Sequence, residues 1–216
     1  MNIPQAPLRS VYLYVFDGFA DWEPAFAIAG INSPEFQREP GRWRVQTVAV
    51  GSGVVVSAGG LSILPDRQLA ALQPADAELL ILPGGRGWDQ GEHLDSAHKA
   101  AAFLEAGVPV AAICGATAGL ARIGLLDRRR HGSNAPAYLN GLREQGYGGA
   151  EHYVDEPAVI DDEGLLITAG GMAPLEFAQA IFARLRIYRE EVLQAWYQLY
   201  KTGRSQYFAQ MSEAAA

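Results

Sequence analysis

Four apolar residues, Val110 to Ile113, run straight into Cys114-Gly-Ala-Thr117, and no other stretch constrains this chain as tightly. The apolar run fits a buried strand. The small residues behind it fit the first turns of a helix with Leu120 and Ile123 facing inward. Cys114, the only cysteine, therefore falls at a strand-to-helix turn. At such a turn a side chain leaves the sheet edge, and free N–H groups at the helix start stabilise a thiolate, which predicts a lowered thiol pKa. A lone cysteine in apolar surroundings also suits a small core residue. The turn position, and the glycine that lets a substrate approach the backbone, favour a nucleophile.

A chain of 216 residues with an apolar fraction near half is long enough to bury one full core, and one domain is expected over 1–216. Seventeen basic residues against 24 acidic ones give a net charge of −7, the wrong sign for phosphate backbones or anionic lipid surfaces. Nucleic acid and membranes are not expected partners. One cysteine makes no internal disulfide, no segment is apolar for long enough to span a bilayer, and residues 1–10 lack the blocks of a signal peptide; the expected location is cytoplasmic.

Along the chain, Val11 to Phe16 reads as a buried strand closed by Asp17-Gly18, followed by a helix over 19–30 with Asp21 as cap and Pro24 in its first turn. Glu23 is thereby set beside the carboxyl end of the first strand. It can also be an acid placed at a helix start by the dipole. Arg44 to Val50 is a second strand. The glycines 51 and 53 behind it precede a strand-turn-strand pattern over 54–64, whereas a dinucleotide loop needs a helix there. Glu78 to Leu82 is a third main strand, ending in Pro83-Gly-Gly-Arg-Gly-Trp88. This glycine-rich loop is either a plain turn or a set of N–H groups aimed at an oxyanion. Arg86 and Trp88 are expected at the rim of a pocket.

A helix is predicted over 93–106, with His93 and His98 on different faces and solvent-facing, unsuited to share a metal. The basic cluster in Asp127 to Asn134 reads as a solvated turn, and Pro136 opens a short helix. Strands are predicted over 152–160 and 165–168. Pro174 then opens a helix with Phe177, Ile181 and Leu185 on one face. A last helix over 188–200 carries Val192, Trp196 and Leu199, flanked by Leu193, Tyr197 and Tyr200. So wide an apolar face packs either on its own domain or on a dimer partner. Strands alternating with helices predict an α/β fold, a flavodoxin-like three-layer sandwich with a mostly parallel central sheet and a C-terminal helical extension over about 188–216.

Asp-Trp-Glu at 21–23, Leu-Pro-Gly-Gly at 82–85 and Ala-Ile-Cys-Gly-Ala-Thr at 112–117 together resemble the ThiJ/PfpI family of the class I glutamine amidotransferase-like superfamily. The resemblance implies that Cys114 is the reactive nucleophile, that Glu23 hydrogen-bonds its sulfur, and that the N–H groups of Gly85 and Gly115 form an oxyanion hole. It also implies a homodimer and needs neither cofactor nor metal. Many members carry a histidine where this chain has Asn134, and His131 stands three residues earlier; both are candidates to support the cysteine from beside it. A late His-x-Glu pair, required of a glutaminase, is absent, because His152 is followed by Tyr153 and Val154. Without a histidine base the thiolate has to be prepared by its surroundings, which predicts a raised Glu23 pKa beside the lowered Cys114 pKa. The expected function is a hydrolase, hydratase or glyoxalase-like lyase acting on a small-molecule electrophile. The alternatives are a redox or stress sensor or chaperone with an oxidisable Cys114, and an intracellular cysteine protease or amidase.

Overall fold

The computed structural model describes residues 8–215. The first seven of the ten N-terminal residues read above as lacking a signal peptide lie outside it. Its centre is a seven-stranded sheet. In chain order the strands are β1 (Arg9–Tyr14), β2 (Trp43–Ala49), a separate two-stranded hairpin of β3 (Val55–Val56) and β4 (Ser62–Ile63), β5 (Arg67–Gln68), β6 (Ala77–Leu82), β7 (Val110–Ile113), β8 (Ala158–Ile160) and β9 (Leu166–Ala169). The sheet order is β5-β2-β1-β6-β7-β9-β8, with every pairing parallel except β8 against β9.

The helices are α1 (Ala25–Asn32), α2 (Leu94–Glu105), α3 (Gly115–Arg122), α4 (Pro136–Asn140), α5 (Pro174–Leu185), α6 (Glu190–Thr202) and α7 (Gln206–Ala215). One layer, α1 with α5 and α6, and the opposite layer, α2 with α3, enclose the sheet. The central strands are buried on both faces, which is why Leu79–Leu82 of β6 and all of β7 read as unbroken apolar runs rather than alternating ones. The α/β three-layer sandwich is as expected. Among the described residues no helix is long and apolar enough to cross a membrane.

Four local readings change. Residues 152–157 hold only an isolated bridge of Tyr153 with His131, whose backbone exchanges hydrogen bonds with His152 and Val154, and the strand itself starts only beyond Pro157. Asp21 does not cap α1, which begins at Ala25; its carboxylate accepts the Ser57 hydroxyl at 2.6 Å and ties the β3–β4 hairpin to the first loop. The basic turn is partly structural, since Arg129 pairs with the buried Asp161 and with Glu163 at 2.8 Å. The C-terminal extension holds a second helix, α7, packed on α6. Of the α6 stripe, Val192, Leu193 and Trp196 are buried within their own domain, while Tyr200 is exposed.

Candidate active site

Cys114 stands at the end of β7 with φ 58° and ψ −123°, a conformation that non-glycine residues rarely hold. Its N–H donates to the Ala169 carbonyl of the neighbouring strand at 2.9 Å. Its carbonyl accepts the buried Thr117 hydroxyl at 2.6 Å, and that hydroxyl also meets Ser133 Oγ at 2.6 Å. Clamped at both ends, the residue turns sharply from strand into helix and holds its thiol above the sheet. The role of the threonine in Cys-Gly-Ala-Thr is thus to lock the turn, a part the sequence did not disclose.

The other predicted residues arrive from the carboxyl ends of adjacent strands, where parallel sheets place ligands. Glu23, 1% exposed, lies in the turn between β1 and α1 and accepts the Gly84 N–H on Oε2 at 2.5 Å. Its carboxyl faces the Cys114 thiol, both lying close around the position a Cβ on Gly171 would take. The space between them tolerates no side chain. A Cβ at Gly84 would sit 2.8 Å from Cys114 Cβ and 2.7 Å from Glu23 Oε2, and one at Gly171 would sit 2.8 Å from Cys114 Sγ. Gly85, Gly115 and Asn134 line the same cavity of about 490 Å³, together with Asp17, Trp22, Arg86, Asp89 and Tyr138.

Asn134 donates from Nδ2 to Cys114 Sγ at 3.5 Å, while its Oδ1 accepts the Gly171 N–H at 2.8 Å. His131 is elsewhere. It is fully buried, with Nδ1 2.7 Å from the Arg129 carbonyl and Nε2 2.9 Å from the Tyr147 hydroxyl. A carbonyl only accepts, so Nδ1 carries the proton and Nε2 takes the tyrosine's. Both nitrogens are used within the core, and burial holds the ring's pKa below its ordinary value. Of Asn134 and His131, only Asn134 contacts the sulfur.

Two further placements differ from expectation. Trp88 is fully buried, donating to the Pro83 carbonyl at 2.9 Å and packing where a Cβ on Gly119 would stand, so Arg86 alone reaches the rim. His93 is not solvent-facing: its ring lies 4.0 Å from that of Phe16, and Nδ1 is 3.0 Å from the Tyr14 hydroxyl. His98 is exposed. Tyr138, which sequence reasoning missed, hydrogen-bonds Asp89 across the cavity wall.

The electrostatics follow from burial. Glu23 is pushed up to about 7 by desolvation, opposed by the Gly84 N–H and the thiol. The thiol does not go down as expected. Desolvation and the Glu23 charge push Cys114 up to about 11, outweighing the Asn134 amide and the Gly115 N–H. The pair therefore sheds its first proton near neutrality and holds the second one well above it, shared between sulfur and carboxyl. Among the described residues no group of three or more His, Cys, Asp or Glu is placed to hold a metal.

A doubly wound sheet with a cysteine at a strained strand-to-helix elbow, facing a buried carboxyl, defines a class of cysteine-centred α/β proteins. The DJ-1/PfpI family model matches residues 9–184, and the chain belongs to that family. It is 40% identical over 204 residues to YoaZ of Bacillus subtilis, covering 94% of this chain and 96% of that one, and 32% identical over 174 residues to YdeA of the same organism; both are named uncharacterized proteases. Among solved structures, a ThiJ/PfpI family protein from Bacillus anthracis superposes with a TM-score of 0.87 at 36% identity, covering 97% of this chain and 99% of that one. A DJ-1 superfamily protein from Agrobacterium tumefaciens gives 0.79 at 31%, covering 91% and 99%.

Proposed function

We propose that this chain is a cysteine-dependent enzyme acting on a small electrophile, a hydrolase, hydratase or glyoxalase-like lyase, with Cys114 as nucleophile and Glu23 as its proton partner. The observation that carries this reading is the buried carboxyl facing the thiol, with no histidine among the described residues that line the Cys114 cavity. A carboxyl that titrates at about 7 is matched to general acid–base work at neutral pH. The thiolate is then made during attack rather than beforehand. As sulfur bonds to the electrophilic carbon, the thiol proton passes to the Glu23 carboxylate and the carbonyl π electrons move to oxygen. The N–H groups of Gly85 and Gly115 face that oxygen, and the Glu23 proton completes the adduct by returning to it. An aldehyde or ketoaldehyde gives a hemithioacetal by this step.

The cavity suits a small substrate, and its volume of about 490 Å³ falls in the ordinary range for such sites. Peptide hydrolysis through a Cys-His-acid triad is supported less, because His131 has both ring nitrogens engaged within the core. A redox sensor is supported less as well. Oxidation follows thiolate character, and this thiol's pKa is raised. Homodimerisation is part of the same proposal, carried by the family.

The test is the rate of iodoacetamide alkylation against pH, paired with a turnover screen on ketoaldehydes, aldehydes, amides and isonitriles. Wild-type alkylation is expected to rise through about pH 7 and again toward 11. Glu23→Gln loses the limb near 7, and turnover falls on the order of a hundredfold or more. Unchanged turnover in Cys114→Ala overturns the proposal.

A further inference from the structure

On the far side of the sheet's helical layer, α1, α6 and α7 enclose a second cavity of about 290 Å³, distinct from the one that holds Cys114. One wall is a cluster of three rings: Trp196 and Phe26 each touch Tyr200 at centroid distances of 5.2 Å, and Phe26 is 6.2 Å from Trp196. The other wall is Phe36 against Phe208, edge to face at 5.9 Å. Phe36 is held at φ 65°, an unfavourable conformation for a bulky side chain. Glu35 stands next to it at the cavity's edge. No Lys or Arg lines the cavity, and no ion pair among the described residues engages Glu35.

Aromatic walls alone take any apolar group. Aromatic walls with one unneutralised carboxylate discriminate by charge, because ring quadrupoles and the carboxylate both attract a cation. We infer that this cavity binds a small organic cation, an ammonium carried on a single apolar or aromatic group, with the apolar part between the ring clusters and the charge toward Glu35. A second copy of the chain is the weaker occupant. Of the large apolar side chains exposed on the described surface, only Tyr200 and Phe208 line this cavity, whereas a stable interface buries roughly 800 Å² on each partner.

Full-length protein is titrated with 2-phenylethylammonium and, separately, with 2-phenylethanol, by calorimetry and by tryptophan fluorescence. The expected result is saturable binding of the ammonium, several-fold tighter than that of the alcohol. Tyr200→Ala weakens it about fivefold. Glu35→Gln weakens the ammonium about threefold and leaves the alcohol unchanged. Both side chains are exposed, and circular dichroism checks that the variants fold. Equal affinity for ammonium and alcohol overturns the inference, as does insensitivity to Glu35→Gln or absence of binding up to about 10 mM. So does loss of ammonium binding in Asp89→Ala, which locates the cation in the Cys114 cavity. A dimer that Tyr200→Ala dissolves overturns it in favour of the second copy.

Discussion

Asn134 presents its amide to Cys114 in a single orientation: the Gly171 N–H, 2.8 Å from Oδ1, fixes which end is oxygen, and Nδ2 is left facing the sulfur at 3.5 Å. An amide cannot take up the thiol proton, so it stabilises negative charge on sulfur at every pH without acting as a base. Asn134→Ala is expected to slow alkylation at pH 7.5 about tenfold, the usual worth of a hydrogen bond to a charged group. Asn134→Asp slows it further by adding a second carboxylate. A rate in Asn134→Asp equal to wild type would show that the contact is idle.

Burial of Glu23 makes a signed prediction about stability. Its folded pKa of about 7 lies above the ordinary 4.5, so between these values the folded state binds more protons than the unfolded state. Its contribution is fully present below pH 4.5 and is lost as the pH rises through 7. Glu23→Gln, which keeps an acceptor for Gly84, is expected to be more stable than wild type at pH 8 by up to roughly 3 kcal/mol, with little difference near pH 4.5. Urea unfolding of both proteins at the two pH values measures this. A pH-independent gap between them rules the account out.

His131 is expected to matter to folding and not to sulfur chemistry. His131→Leu leaves the Tyr147 hydroxyl and the Arg129 carbonyl without their partner and costs about 1 to 3 kcal/mol. The alkylation profile of the folded variant should overlay the wild type. Because its pKa is lowered in the fold, His131 removes stability as the pH falls below the ordinary histidine value of 6.5, opposite in sign to Glu23.

Gly171 tests the geometry of the pair without touching either member. An added Cβ sits 2.8 Å from Sγ and 3.2 Å from Glu23 Oε1, and the residue's φ is not in the left-handed region, so the backbone accepts alanine. Gly171→Ala is expected to separate thiol from carboxyl and lower turnover at least tenfold, with a change in unfolding midpoint smaller than that of His131→Leu. Wild-type turnover in this variant would mean that the thiol–carboxyl spacing is irrelevant.

Much of this was legible along the chain. The apolar runs at 79–82 and 110–113 announce central strands because strands buried on two faces carry no polar alternation, and the small residues from Gly115 onward announce a tight turn. Short edge elements were not: β5 is two exposed residues, and its pairing with β2 depends on a partner 19 residues away. The stretch 152–157 has strand composition, yet its hydrogen bonds go to His131. His93 looked like an exposed helix-start polar residue until the rings of Tyr14 and Phe16, some 80 residues earlier, closed over it.

The sequence by itself determined the order of the main strands and helices and the elbow at Cys114, because periodicity, turn chemistry and short motifs act over a few residues, while Glu23 was marked as a carboxyl beside the cysteine by the family resemblance. Tertiary structure alone decided the direction of the thiol's pKa, the choice of Asn134 over His131, and the need for glycine at 84 and 171. Each of these depends on distances and desolvation between groups that the chain brings together from separate strand ends.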